Sequence, residues 1–243
     1  MLLQPQEFWL LFLLLVWGAL LFGGFLFGRL NADSTHRMPT WTRMASSFTL
    51  VVAAWSGWLF TQSAPISSLS LLLAIGMTLG FIGDLFMAQL MPVRDFVIGG
   101  IAAFGLGHIA YIIGWWHFGD SYGLDVSGYR WGALVVWWLA GILGWYVVVF
   151  RGGERSVLHV AALPYALLLS TTAGVATGLA LQLPLFVPLA LGAASFLLSD
   201  LLLAAQLFNN LHFRYIGDAV WLLYGPAQML IVYSLGSALM YTG

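Results

Sequence analysis

Residues 197–207 read Leu197-Leu198-Ser199-Asp200-Leu201-Leu202-Leu203-Ala204-Ala205-Gln206-Leu207, a carboxylate set inside an apolar run that extends from Leu185 to Leu207. About 20 mainly apolar residues is the length a helix needs to cross a bilayer, where lipid offers no partner to a free N–H or C=O. Asp200 therefore reads as an acid inside a membrane span. Such a group costs at least about 2.5 kcal/mol on insertion scales, so it is expected to face a cavity or a partner.

The rest of the chain repeats the pattern. Seven further stretches have spanning length: Phe8 to Leu30, Met44 to Thr61, Leu69 to Leu90, Phe96 to His117, Trp131 to Phe150, Val157 to Leu181 and Ile216 to Met240. Of the 243 residues 61% are hydrophobic and 7% charged, with mean hydropathy +0.95. A soluble domain carries about 25% charged residues, so this chain could not keep a wettable surface in water. The expected fold is all-α, a polytopic membrane bundle of eight transmembrane helices forming a single transmembrane domain over residues 1–243. Met1 to Glu7 lacks the positive n-region of a signal peptide, and the first stretch is expected to be retained as a helix.

All eight basic residues are Arg, and the net charge of −1 leaves no basic face for nucleic acid. With no Cys there is no disulfide framework, thiolate metal site or cysteine nucleophile. Arg29, Arg37, Arg43, Arg94, Arg151, Arg155 and Arg214 fall in or beside odd-numbered connections, and Arg130 alone in an even-numbered one. Positive residues in short loops are retained in the cytoplasm, so both termini are expected on the non-cytoplasmic side, in a cell inner membrane.

A second acid sits in span three, in Phe81-Ile82-Gly83-Asp84-Leu85-Phe86-Met87-Ala88-Gln89-Leu90. Asp84 and Asp200 share a context: a small residue before, an Ala four positions after and a Gln near the span end. They are 116 residues apart, about half the chain, which suggests two parallel four-helix halves. His108 follows Asp84 by 24 residues and Tyr224 follows Asp200 by 24, with Tyr111 and Gln228 a turn further on the same faces. At about 1.5 Å of rise per residue, both acids are expected roughly 9 to 11 Å inside the cytoplasmic boundary. Two carboxylates at one depth cannot both ionise cheaply. One is expected as a neutral acid and the other as an anion, the division of labour used in glycoside chemistry.

Other polar and special residues read as structural. Asp218, near the start of span eight, compensates the positive end of its helix. Trp115, Trp116 and Trp131 are expected as belt anchors at the headgroups. Gly76 with Gly80, and Gly174 with Gly178, make GxxxG spacings for close helix packing. Pro164 and Pro226 lie inside spans and each removes an intrahelical bond.

Gly83-Asp84, His108 with Tyr111, Ser199-Asp200-Leu201-Leu202-Leu203-Ala204, and Tyr224 with Ala227-Gln228, in that order, resemble the YhhN-type lysoplasmalogenase family of eight-span membrane proteins. Two positions depart from it: Met87 where the family usually has Leu, and Gly225 where an aromatic often follows the Tyr. Gly225 is expected to alter the pocket wall. The resemblance implies hydrolysis of the vinyl ether bond of a lysoplasmalogen, a lysophospholipid with an alkenyl chain, to a fatty aldehyde and a glycerophospho-headgroup compound. It implies no cofactor and no metal.

Vinyl ether hydrolysis requires protonation of the β-carbon, an anion facing the oxocarbenium ion and a positioned water. Asp84 and Asp200 would supply acid and anion, in an order left open. His108, Tyr111, Ser199, Tyr224 and Gln228 would contact substrate or water. Arg94 or Arg214 could meet the lipid phosphate. Two other chemistries use the same side chains: a proton-coupled transporter with an aspartate relay, and a metal-dependent lipid hydrolase ligated by Asp84, His108 and Asp200.

Overall fold

The computed structural model describes residues 4–151 and 157–242. Its helices are α1 Pro5–Phe27, α2 Thr40–Phe60, α3 Ser67–Met87, α4 Phe96–Ser121, α5 Ser127–Trp145, α6 Val157–Gln182, α7 Val187–Phe208, α8 Ile216–Tyr233 and α9 Leu235–Thr242. A π-helical turn, Tyr146–Phe150, extends α5, and a 3-10 turn, Pro184–Phe186, precedes α7. Because α8 and α9 make one crossing, eight segments of the described residues are long and apolar enough to span a membrane. The fold is the expected all-α bundle, and the chain is a multi-pass integral membrane protein.

Local chemistry sets the helix ends. Proline occupies the first turn of α1 and of α7, where a missing N–H costs nothing, and Pro39 immediately precedes α2. α3 stops because Gln89 takes a left-handed backbone (φ 56°), which lets the amides of Gln89 and Leu90 bond back to Phe86 and Leu85. Asp84 is therefore three residues from the end of α3, closer than the expected six, while Asp200 is eight from the end of α7.

Consecutive helices pack on one another in both halves of the chain. In the first half α1 packs on α2, α2 on α3, α3 on α4, and α4 crosses to α6. In the second, α5 packs on α6, α6 on α7, α7 on α8, and α8 crosses to α2. Large side chains such as Phe12, Leu15, Leu139 and Leu143 point outward, as a bilayer requires. The glycine spacings act as expected. Gly76 and Gly80 leave room on α3 for the Tyr111 ring and the Gln228 amide, and Gly174 admits Leu134 of α5 against α6.

Two expectations change. Trp115 is 1% exposed, packed edge-to-face on Phe118 and Phe186, because α4 continues to Ser121 and leaves that ring inside the core. Trp131 is exposed and Trp116 half-buried, with ring centroids 5.9 Å apart. Helices α2 and α5 begin earlier than expected, which brings Arg43 and Arg130 inside helices. Arg130 is neutralised by Asp120 at 2.6 Å and lies over Trp116. Arg155 lies outside the described residues.

Candidate active site

A cavity of about 190 Å³ opens among α2, α3, α4, α7 and α8 at the end of the bundle that carries the 28–39 loop. Asp84 and Asp200 both line it, one from each half of the chain. Asp84 is 3% exposed. Its Oδ2 accepts hydrogen bonds from Ser47 of α2 and, at 2.9 Å, from the Tyr224 hydroxyl of α8. Asp200 accepts one from Tyr165 of α6.

Behind Tyr224 runs a buried chain of polar groups. Gln228 Nε2 donates to the Tyr224 oxygen at 3.3 Å, and the Tyr111 hydroxyl donates to Gln228 Oε1 at 3.0 Å. The i, i+4 spacing of Tyr224 and Gln228 puts both on the α8 face that meets α3 and α4. Tyr111 and Gln228, each 1% exposed, are not among the cavity-lining residues. They set the direction of the Tyr224 hydroxyl.

A second, apolar groove adjoins the first and shares Met87, Phe104, Asp200 and Leu203 with it. It runs between α4, α6, α7 and the π-helical turn, past Ile101, Val149, Ala162 and Leu197. π-helical turns recur at functional sites. Asp200 stands where the polar cavity becomes apolar.

The remaining expected residues fall elsewhere. His108, 2% exposed, bonds through Nδ1 to Thr172 Oγ1 at 2.9 Å and packs on the Phe196 ring, outside the cavity lining. Ser199 forms part of the wall, but its hydroxyl is committed to the Val220 carbonyl at 3.0 Å. Gly225 faces Leu21 of α1 instead of the pocket, whereas Met87 lines both spaces. Arg94 and Arg214 are exposed, and neither lines the cavity. Asp218 accepts the amides of Arg37 at 2.6 Å and Met38 at 3.0 Å, so it binds a distant loop as well as opening α8.

That loop lids one end of the cavity. Asn31 Oδ1 accepts the amides of Thr35 and His36, the carbonyls of Ser34 and Thr35 accept from Tyr215 and Gly217, and Arg37 caps carbonyls at the end of α1. Thr35 and His36 thereby join the lining. Burial, and next the Arg43 charge, hold the His36 imidazole below its ordinary range, against the opposing pull of Asp218 and Asp33.

Sequence reasoning missed Ser47, Tyr165, Trp221, His36 and the site-facing role of Arg43. Single hydroxyls in spans are common, so Ser47 and Tyr165 carry no signal alone. Arg43 was legible as a topology marker. Its spacing of four from Ser47 was the available hint that both share a face. Among the described residues no three His, Asp or Glu side chains converge as metal ligands, and His108 points away from the two aspartates' cavity. The site can offer two carboxyl groups, hydroxyl donors and an adjoining apolar channel.

The model of the YhhN family matches residues 38–235, most of the chain and all of the residues that line the polar cavity except Thr35 and His36. No curated protein and no solved structure matches the chain.

Proposed function

The chain belongs to the YhhN family, and from that premise we propose that it is a membrane hydrolase of lysoplasmalogenase type, cleaving the vinyl ether of an alkenyl lysophospholipid. One observation carries the reading: Asp84 and Asp200 line one cavity, and Asp200 also heads an apolar groove. A substrate with its chain in the groove and its glycerol in the cavity would set the ether bond beside Asp200.

In this reading protonated Asp200 gives its proton to the β-carbon, making an oxocarbenium ion. Asp84, with two hydroxyl donors on Oδ2, is the facing anion. Water adds to the cationic carbon and yields a proton to Asp84. The hemiacetal then collapses: its hydroxyl proton returns to Asp200, the C–O bond breaks, and the glycerol oxygen takes the proton from Asp84. One water is consumed, and an aldehyde and an alcohol are released. Tyr224 and Ser47 orient Asp84; Tyr165 orients Asp200.

The test is turnover of a 1-alkenyl lysophospholipid by purified protein in D₂O. Carbon protonation puts one deuterium at C2 of the released aldehyde. Because every hydrolytic route from a vinyl ether carries that label, the mechanism is read from the rate: protonation of carbon by an acid is expected to be slower in D₂O than in H₂O, and equal rates would point to another bond-breaking route. No aldehyde, together with pH-dependent uptake in reconstituted vesicles, would replace the hydrolase by a proton-coupled transporter.

A further inference from the structure

Arg43 is the one basic side chain of fixed charge in the cavity lining. Among the described residues no carboxylate lies within salt-bridge distance of it. Nη2 reaches Thr40 Oγ1 at 3.1 Å and the guanidinium lies 5.6 Å from the Trp221 ring centroid, but buried Nε has no partner. Asp84 and Asp218 stand near the guanidinium but beyond ion-pair reach, so its planar fork is left open to a phosphate. Thr35, His36 and Gln206 line the same cavity.

The register along α2 sets a distance. Arg43 and Ser47 share a face, and Ser47 binds Asp84, so Arg43 stands about 6 Å along the axis from the residue that holds the carboxylate. In a glycerophospholipid five bonds separate phosphorus from the sn-1 oxygen, a span comparable to the helical pitch of about 5.4 Å. An anion on Arg43 therefore puts an sn-1 ether at the level of Asp84. The adjoining apolar groove, about 70 Å³, continues from Asp200.

We infer that Arg43, backed by Trp221, is the phosphate-binding residue of the site, holding the headgroup phosphate of the lysophospholipid that the hydrolase reading supplies. This rests on the hydrolase reading for the placement of the ether bond. The anion site itself does not depend on vinyl ether cleavage.

Binding of ligands that cannot be cleaved separates the two. The probes are a saturated 1-O-alkyl lysophospholipid, the matching 1-O-alkylglycerol without phosphate, and inorganic phosphate, titrated into detergent-solubilised protein by calorimetry. Wild type is expected to bind the phospholipid at least tenfold more tightly than the alkylglycerol. Arg43→Gln is expected to reduce that preference below threefold, and Arg43→Lys, which keeps charge but loses the fork, to an intermediate value. Equal wild-type affinity for both lipids, or an undiminished preference in either variant, overturns the inference. Inorganic phosphate binding as tightly as the phospholipid overturns the lipid assignment. If wild type shows the preference yet releases no aldehyde from a vinyl ether, the anion site stands and the hydrolase reading fails.

Discussion

The Tyr224 hydroxyl of α8 donates to Asp84 Oδ2 of α3 at 2.9 Å, joining the two halves of the bundle across 140 residues of chain. The repeat-related partner does not reciprocate, since His108 turns to Thr172 and Asp200 is met by Tyr165 instead. The bundle thus holds two carboxyl groups in unlike surroundings. Unlike surroundings are what an acid and an anion need to do different work.

Asp84→Asn and Asp200→Asn are each expected to lower aldehyde release at least about a hundredfold, the scale of losing a positioned acid or base. Both amides fit the same space, so the melting temperature in detergent should stay within a few degrees. An Asn variant at either position with wild-type turnover would remove that carboxyl group from the mechanism.

Tyr224→Phe leaves Asp84 with Ser47 as its hydroxyl donor and unties Gln228 from the carboxylate. Turnover should fall about tenfold to a hundredfold, consistent with the loss of one charge-assisted bond worth about 1.5–3 kcal/mol. Tyr111→Phe, one link further back, should cost less. Steady-state rates that reverse this order would show that the chain does not act through Tyr224.

Gly76→Ala introduces a methyl group well inside van der Waals contact with the ring of Tyr111, which is 1% exposed. Overpacking of this kind costs about 1–3 kcal/mol. Thermal unfolding in detergent should register the loss, with a parallel drop in turnover as the Tyr111–Gln228 bond is displaced. An unchanged melting temperature would mean that α3 and α4 can separate locally.

Asp218→Ala removes the shared acceptor of the Arg37 and Met38 amides. Leaving such donors unpaired costs about 1–3 kcal/mol. Hydrogen exchange at residues 37 and 38 should accelerate well before exchange in α3 or α7. Protection equal to wild type would show that the loop is held by its other bonds.

His36 makes a signed prediction about pH. Its folded-state proton affinity lies below the unfolded value of 6.5, so the unfolded chain takes up the proton first. Its contribution to stability is complete above that value and declines as pH falls below it. His36→Gln should therefore flatten the part of the melting temperature's fall below about pH 6.5 that this imidazole causes. Superimposable pH profiles for the two proteins would assign the slope to other groups.

Span number and the two intramembrane aspartates were legible from the chain because the bilayer imposes a length and an apolar composition on every crossing, and an acid inside such a run stands out. The common context of Asp84 and Asp200 suggested a repeat. Tertiary structure alone decided which groups meet. Ser47 and Tyr165 reach the carboxyl groups from neighbouring helices, His108 turns away, and Arg43 turns inward. The physical reason is that composition fixes whether a helix crosses the membrane, whereas rotation about its axis, set by interlocking side chains such as Tyr111 against Gly76, determines which face meets the cavity.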